Sequence, residues 1–441
     1  MKKNNAASDK SRNIINKLSV FNVTAPLTDE YSIMYNPLYN FLMKIKSNEI
    51  EKMIYYDETD EITKKLKLNG IIVDNSKDEM LGYINYSDEK RFNSSNFQLT
   101  IAPTMKCNFS CPYCSENFVE RNVMNDDVEN HILKFFTPII KGVENVTVNW
   151  YGGEPLLEIN RMESITKKIK SIIKEPNCYS STIITNGLLL TEKMAKRLSD
   201  LSIKNVQITL DGSRSKHNSA RFIRGKNSES FDIIANNIKN ASKYLQIILR
   251  INIDYNNLDD FDLLLSQLEE FDLKKSVYIY VARLDNINGT CVNKCISDED
   301  YDNIKLKLLQ KILQNGYLST GFPCSRPNIC MAVNKNSYII DPKGSIFKCL
   351  STIGNDEEKI GDVFSEIKNT DNLNKWLNYS FNTKCLNCNK LPMCAGGCPL
   401  KNIRINNEEF TCAKDTNYYI QLVKCIVNSF SIDKKLIVNK D

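Results

Sequence analysis

Between residues 97 and 284, apolar stretches of strand length alternate with amphipathic segments of helix length. The apolar stretches predict six strands: QLTIAPT, NVTVNWYGGEP, STIITNG, VQITLDG, QIILRINIDYNN and SVYIYVARL. The segments between them, such as DDVENHILKFFTPII and SFDIIANNIKNASKYL, predict helices. Alternating strands and helices favour right-handed crossovers and a parallel sheet. Since a full barrel of this type has eight strands, six strands predict a partial (β/α)6 TIM-like barrel.

The pattern changes on both sides of this barrel region, which we assign to residues 97–317. Residues 1–20 are polar and predict a disordered tail, whereas residues 21–96 alternate short apolar runs with charged clusters and predict a small N-terminal α/β domain. Residues 318–441 lose helical periodicity and gain cysteine, with the strands SYII and SIFKC joined by the turn DPKG. This last region predicts a domain stabilised by bound metal rather than by a hydrophobic core. The expected fold class is therefore α/β, with a Cys-rich C-terminal iron–sulfur domain if that metal is iron.

The composition is that of an ordinary globular protein, with 42% hydrophobic and 25% charged residues in a chain of 441. The net charge of +5 is spread along the chain and predicts no nucleic-acid partner. The N-terminus lacks the apolar run of a signal peptide, and no apolar stretch is long enough to predict a membrane span. We therefore expect a cytoplasmic protein with no membrane partner, in which clustered cysteines bind metal or act in catalysis.

Fifteen cysteines and only two histidines mean that sulfur would dominate any metal site. Thiolate ligands favour zinc, Cu(I) or iron–sulfur clusters. Cys107, Cys111 and Cys114 follow the first barrel strand in the loop MKCNFSCPYC. Three thiolates leave one iron of a four-iron cluster without a protein ligand, so that this iron could bind a substrate. The loop also follows a strand end, where the active sites of such barrels lie.

This Cx3Cx2C spacing, with an aromatic residue at Tyr113, resembles the signature of the radical S-adenosylmethionine (SAM) enzymes. A second match ends the next strand and consists of Gly152, Gly153, Glu154 and Pro155. The resemblance implies a [4Fe-4S] cluster on the three cysteines, with SAM bound to its open iron. It also implies reductive cleavage of SAM to methionine and a 5′-deoxyadenosyl radical that abstracts a substrate hydrogen. The cofactor supplies this chemistry, while the protein binds and orients it.

The resemblance also suggests which residues contact SAM. In the family the GGEP segment contacts the SAM amino group, and here Glu154 and nearby carbonyls could accept hydrogen bonds from an ammonium. Further strand ends resemble positions near the SAM carboxylate and ribose; they carry Thr185, Asn186, Gly187, Thr209, Leu210, Asp211 and Gly212. Arg221 and Arg224 follow, and an arginine could pair with the carboxylate. Strand-end turns and surface charges explain these residues equally well from sequence.

The C-terminal cysteines resemble the SPASM extension of radical SAM enzymes. Its pattern is Cys…Gly-x4-Cys, then Cx2Cx5Cx3C, then a last Cys, and Gly344 stands at the pattern's glycine. The resemblance implies two auxiliary [4Fe-4S] clusters, the first on Cys324, Cys330, Cys349 and Cys398 and the second on Cys385, Cys388, Cys394 and Cys412. Local spacing alone would instead pair Cys394 with Cys398, and a zinc knuckle is the alternative to a cluster. The remaining cysteines, Cys178, Cys291, Cys295 and Cys425, are expected to bind no metal.

Most SPASM proteins modify peptides or proteins. Sulfatase maturases among them carry an acidic base directly after the cysteine that Cys349 matches, and Leu350 occupies that position here. The leading hypothesis is therefore a peptide maturase with oxidoreductase-type chemistry that crosslinks a ribosomally synthesised peptide. Residues 21–96 could recognise its leader, and a flavodoxin or ferredoxin would supply electrons. The alternatives are a formylglycine-generating enzyme resembling anaerobic sulfatase maturases and, from another class, a zinc-stabilised binding protein.

Overall fold

The computed structural model describes residues 15–175, 178–225, 229–284, 295–320, 324–326, 330–365, 367, 370–404, 412 and 416–429. Its strands are β1 Asn16–Leu18, β2 Val23–Pro26, β3 Tyr31–Asn36, β4 Phe41–Lys46, β5 Ile72–Asp74, β6 Asn96–Ile101, β7 Asn145–Trp150, β8 Tyr179–Thr185, β9 Ile203–Leu210, β10 Gln246–Ile253, β11 Val277–Arg283, β12 Leu318–Ser319, β13 Ser337–Ile340, β14 Ser345–Phe347 and β15 Gly361–Asp362. Its α-helices are α1 Glu61–Leu68, α2 Glu79–Phe92, α3 Asp126–Gly142, α4 Ile159–Ile172, α5 Glu192–Asp200, α6 Arg214–Ala220, α7 Phe231–Ala241, α8 Phe261–Glu270, α9 Asp298–Gln314, α10 Thr370–Leu377, α11 Leu391–Cys394, α12 Pro399–Arg404 and α13 Thr416–Ser429.

The six predicted barrel strands are present as β6 to β11 and lie side by side in one ten-stranded sheet. Each is parallel to its neighbour, as crossovers through helices require. Val148, Ile208 and Ile251 are fully buried within three of these strands, because helices cover one face and the barrel interior the other. Parallel strands place their C-terminal ends at one edge, so the loops after β6, β7, β8 and β9 meet there.

The sheet also contains a part of the C-terminal region. Strand β13 pairs in parallel with β6, with Ile340 opposite Ile101, and β14 and β15 extend the edge in antiparallel order. Ile339, Ile340 and Phe347 are fully buried. The expectation that this region depends on metal rather than on a hydrophobic core is therefore wrong for β13–β15, because these strands complete the core of the barrel.

The N-terminal region is α/β, with an antiparallel sheet of order β2–β3–β4 beside helices α1 and α2. Strand β1 pairs in antiparallel register with β5, and the backbone N–H of Ser19 donates to the carbonyl of Ile71 at 3.0 Å. The expected disordered tail is therefore wrong for residues 15–20, while residues 1–14 lie outside the described range. Helix α13 packs its apolar face onto Val23, Tyr35 and Leu42 of this sheet.

Among the described residues, no helix combines the length and the apolar character that crossing a membrane would need.

Candidate active site

The three-cysteine loop lies at the C-terminal edge of the barrel and is held by backbone pairing on two sides. On one side Thr104 bridges Val123, and on the other Phe109 bridges Ile223. The N–H of Ser110 also donates to the carbonyl of Phe222 at 2.8 Å. The cysteines are therefore fixed by protein contacts, and all three are partly buried.

The two glycines after β7 let that strand end pack directly onto the cysteine loop. Gly152 has φ +116°, and a Cβ there would come within 2.3 Å of the Thr104 carbonyl oxygen. A Cβ on Gly153 would come within 2.3 Å of the Lys106 carbonyl oxygen. The N–H groups of Gly153 and Glu154 donate to these same two carbonyls at 3.0 and 2.9 Å. The glycines thus permit a close backbone approach, made here to the loop that carries the cysteines.

Glu154 is fully buried and connects the ends of β7 and β8. Its carboxylate accepts hydrogen bonds from the N–H of Leu156 at 3.0 Å, the hydroxyl of Thr185 at 2.8 Å and the N–H of Asn186 at 2.8 Å. Burial raises the pKa of Glu154, while these bonds and the charge of Arg221 oppose the increase. Pro155 begins the short 3-10 helix that Glu154 caps. A carboxylate has about four acceptor positions, which is one more than these three bonds use. The predicted bond from Glu154 to the SAM ammonium therefore stays a prediction.

Asn186 contacts the cysteine loop directly. Its amide nitrogen donates to Asn108 Oδ1 at 2.7 Å and lies 3.8 Å from Cys107 Sγ. Its side-chain oxygen accepts from the N–H of Leu188 at 3.0 Å. Thr209, at the end of β9, is also buried at this edge.

Asp211 and Arg221 form a buried ion pair beside the cysteine loop. They are 4% and 9% exposed, with 3.5 Å between Asp211 Oδ2 and a guanidinium nitrogen of Arg221. The same nitrogen donates to the Tyr113 hydroxyl at 2.9 Å, and the guanidinium lies 5.4 Å from the Phe109 ring centre. Burial raises the pKa of Asp211, and the charge of Arg221 opposes this.

Several polar atoms of this pair lack a well-formed hydrogen bond within the described part of the chain. They are Arg221 Nε and both carboxylate oxygens of Asp211, although Arg221 and Asn252 lie close to the latter. Buried polar atoms without partners are costly and rare. A ligand that offers both acceptors and donors fits this place, and SAM carries a carboxylate, an ammonium and ribose hydroxyls.

The second candidate arginine has a different task. Arg224 Nε donates to the Cys107 carbonyl at 3.3 Å, and its backbone N–H donates to the Asn108 carbonyl at 2.7 Å. Its side chain therefore binds carbonyls of the cysteine loop, which leaves Arg221 as the candidate partner of a SAM carboxylate.

The environment of the loop favours the neutral thiol form of its three cysteines. Burial raises the pKa of Cys107 and of Cys111, and the nearby Arg221 guanidinium opposes it at both. Burial together with Glu116 raises the pKa of Cys114 to about 12. Thiols in this environment lose their protons when a metal coordinates them. The donor set therefore fits an iron–sulfur cluster, which the sequence predicts at these three residues.

Glu116 is a residue of this site that the sequence reasoning missed. It is 8% exposed, and its carboxylate lies 3.2 Å from Cys114 Sγ. The other oxygen accepts from Ser115 at 2.9 Å and from the Tyr151 hydroxyl. Its position two residues after the last cysteine was the available signal.

Three cysteines of the C-terminal region influence one another electrostatically. Burial raises the pKa of Cys330 and of Cys349, in the latter to about 12, and the thiolate charge of Cys398 adds to both. Cys330 also acts on Cys349. Cys324 lies instead beside Tyr35, whose pKa burial and this cysteine both raise. The membership of Cys324 in the first auxiliary site stays a prediction.

A second group surrounds Cys385. Burial raises its pKa to about 11, and Cys394, Cys412 and Cys388 add to the effect. Cys394 thus acts on Cys385, and Cys398 acts on Cys330 and Cys349. The assignment of these cysteines to two auxiliary clusters stays a prediction. Across the described residues, no three His, Cys, Asp or Glu side chains converge on the position of a single metal ion. Cys291 lies outside the described range.

The chain is similar to known radical SAM proteins. Residues 101–268 match the model of the Radical SAM superfamily. The radical SAM cyclopropyl synthase TigE of Paramaledivibacter caminithermalis is 25% identical, over 82% of this chain and 83% of its own length. The cysteine-type anaerobic sulfatase-maturating enzyme of Clostridium novyi is 26% identical, over 66% of this chain and 84% of its own length.

Two solved structures share the fold. Native anSMEcpe with bound AdoMet superposes with a TM-score of 0.55 at 19% identity, covering 75% of this chain and 96% of that one. Streptococcus suis SuiB bound to S-adenosylmethionine superposes with a TM-score of 0.52 at 17% identity, covering 90% of this chain and 99% of that one. The fold is thus shared with both over these parts of the chain.

Proposed function

Because the chain carries a radical SAM domain and is an enzyme that uses SAM radical chemistry, we propose that it crosslinks a ribosomally synthesised peptide. The bond formed would be a thioether or another crosslink started by hydrogen abstraction. The observation that carries the SAM part is the cysteine loop packed on Gly152 and Gly153, beside the incompletely bonded Asp211–Arg221 pair.

Each residue of the site has a defined task in this proposal. Cys107, Cys111 and Cys114 would hold the cluster, which supplies an open iron for SAM and the electron that cleaves it. Arg221 would pair with the SAM carboxylate, since guanidinium–carboxylate bonds are strong when both groups are buried. Glu154 and Asn186 would keep the ends of β7 and β8 against the cysteine loop.

Two observations support a peptide as the substrate. The similarity to TigE extends over most of both chains, and the fold of SuiB, solved bound to its precursor peptide SuiA, covers 90% of this chain. The N-terminal sheet also ends at β4, whose outer edge pairs with no strand in the described part of the chain. An open strand edge can bind an extended peptide by adding it to the sheet. We assign leader recognition to this edge within residues 21–96.

The C-terminal groups would hold the two auxiliary [4Fe-4S] clusters. Their cysteines gather in two sets, around Cys349 and around Cys385. A flavodoxin or ferredoxin in the cytoplasm would deliver the electrons, because thiolate-bound clusters operate at low potential.

The direct test is reconstitution under anaerobic conditions with iron, sulfide, SAM and dithionite. The proposal predicts release of 5′-deoxyadenosine and a content of about twelve irons per chain, since each of three cubane clusters has four. Zinc without iron and no 5′-deoxyadenosine would contradict it. A short Cys-rich or repeat-bearing reading frame beside the gene would supply the peptide for a mass-spectrometric assay of the crosslink.

A second candidate is a formylglycine-generating maturase, favoured by the similarity to the Clostridium novyi enzyme. Leu350 argues against this candidate, because sulfatase maturases carry an acidic residue at the matching position. Formylglycine in a CxPxR peptide after incubation would favour this candidate over a crosslinking enzyme. The third hypothesis, a zinc-stabilised binding protein, has no support, because the radical SAM domain marks the chain as an enzyme.

A further inference from the structure

His217 is a fully buried histidine in α6, between Asp211 and Arg221 in the chain. Its Nδ1 lies 3.3 Å from the backbone nitrogen of Asp211. A backbone N–H can only donate, so Nδ1 is the acceptor and the ring hydrogen is on Nε2. Nε2 in turn lies 3.0 Å from Ser230 Oγ and donates to it.

The contacts continue from Ser230 to Arg221. The Ser230 hydroxyl points its hydrogen at the Arg221 carbonyl over 3.5 Å, and the N–H of Arg221 donates to the His217 carbonyl at 2.9 Å. His217 therefore connects the backbone of Asp211 with the backbone of Arg221. These two residues carry the incompletely bonded atoms beside the cysteine loop.

The surroundings keep this imidazole neutral and fixed. Burial lowers the pKa of His217 well below its usual range, and the Arg221 guanidinium acts in the same direction. The edge of the ring also packs against Phe231, with 5.8 Å between ring centres. A protonated ring would turn a second donor toward the N–H of Asp211, so the observed contacts require the neutral form.

We propose that His217 is a positioning residue for SAM binding, which holds the backbone at Asp211 and Arg221 so that their free polar atoms face the SAM site. The inference rests on the proposed contact of SAM with this ion pair. His217 itself would touch neither SAM nor the cluster. The competing explanation is a histidine that only fills the core between α6 and α7.

Two conservative variants separate these explanations. His217→Asn places an amide oxygen where Nδ1 lies and retains the acceptor for Asp211, whereas His217→Gln places an amide near Nε2 and retains only the contact to Ser230. His131→Gln is the matched control, because His131 is the other histidine of the chain and lies partly exposed on α3. Iron content and the urea midpoint of unfolding are measured for every variant.

The readouts are the Kd for SAM of the reconstituted protein and, separately, KM and kcat for 5′-deoxyadenosine release. We expect His217→Gln to raise Kd and KM for SAM about tenfold, as expected when one buried hydrogen bond is lost, with a smaller change in kcat. His217→Asn loses instead the link through Ser230, whose contact with the Arg221 carbonyl is long at 3.5 Å, and should stay within about threefold of the wild type at the same iron content. His131→Gln should behave as the wild type.

Two results would overturn the role of His217. In one, the Gln variant binds SAM as tightly as the wild type. In the other, both variants lose affinity only in proportion to lost iron or lost folded protein, which indicates core packing. Failure of the proposed function gives a different result, since the wild type then releases no 5′-deoxyadenosine while its Kd for SAM still reports on His217.

Discussion

The two cysteine-rich regions of this protein are built differently. The cysteines at 107–114 lie at the edge of a parallel barrel, among a buried ion pair, two close-packed glycines and a carboxylate that joins two strands. The cysteines from Cys324 to Cys412 lie on short helices and in loops before, between and after β13, β14 and β15, and Cys324, Cys398 and Cys412 are exposed.

This difference in surroundings indicates different roles. A site that only holds a cluster needs cysteines, whereas a site that also binds SAM needs polar groups beside them. Four thiolates around a cubane need only proximity, and the charges that act on Cys349 and Cys385 come from other cysteines. Three thiolates that leave an iron open also need groups to bind the ligand of that iron. In the described residues such groups, Asp211 and Arg221, lie beside the cysteine loop. If this assignment is right, substitutions at the cysteine loop should impair SAM cleavage far more than substitutions at the C-terminal cysteines.

The largest effect is expected from Cys111→Ala. Removing one of three thiolates should abolish 5′-deoxyadenosine release, while about eight irons per chain remain at the C-terminal sites. Cys178→Ala is the control, because Cys178 directly precedes β8, at the opposite end of that strand from Asn186 and the cysteine loop, and should leave release unchanged. Release that persists in the Cys111 variant would contradict the assignment of SAM cleavage to the cysteine loop.

A large effect is expected from Arg221→Met. Loss of a charged hydrogen bond to SAM should raise KM about 10- to 100-fold. The variant also leaves Asp211 buried without its partner, which should cost about 3–5 kcal/mol in the free energy of unfolding. Adding Asp211→Asn should restore part of the stability but not the KM. Arg197→Met, which removes a partly exposed ion pair with Glu163, should change stability by about 1 kcal/mol or less.

If Arg221 contributes only stability, the double variant would recover the wild-type KM for SAM together with the wild-type urea midpoint.

An intermediate effect is expected from Gly153→Ala. The new Cβ would lie 2.3 Å from the Lys106 carbonyl oxygen and 2.6 Å from that of Met105, so the cysteine loop must move. Overpacking of this kind costs about 1–3 kcal/mol, measured by urea unfolding, and should lower the affinity for SAM. Gly142→Ala, at the end of α3 with nothing within 4 Å of its Cβ, should leave both properties unchanged. Equal behaviour of the two variants would show that the approach of β7 to the loop is not tight.

The smallest effect on SAM cleavage is expected from Cys385→Ala. The variant should lose about four irons per chain and lose peptide crosslinking. Its release of 5′-deoxyadenosine with dithionite should stay within about threefold of the wild type, since the SAM site does not include this cluster. Release that falls as far as in Cys111→Ala would show that both regions generate the radical.

Much of the barrel could be predicted because local patterns specify it. The strands β6 to β11 are apolar runs separated by amphipathic helices, and their order follows from right-handed crossovers. The pairing of β13 with β6 could not be predicted, since a short apolar run does not specify a partner more than two hundred residues away. The strand β1 lies in a polar segment and forms through its partner β5.

The candidate site also contains features that the sequence predicts and features that only the structure shows. The cysteine spacing and GGEP are local patterns, so sequence alone could single them out. The different tasks of Arg221 and Arg224 depend on which carbonyls and carboxylates meet them in three dimensions. His217 was visible as one of two histidines, six residues after Asp211, but only the structure shows its contact with the Asp211 N–H.

The central claim is that SAM binds at the three-cysteine loop and at no C-terminal cluster. Electron paramagnetic resonance of the dithionite-reduced protein tests it most directly, with and without SAM, in the wild type and in a variant with Cys107, Cys111 and Cys114 changed to Ala. We predict that SAM alters the spectrum of the wild type and leaves that of the variant unchanged, although the variant retains about eight irons. A SAM-dependent change that persists in the variant would contradict the account.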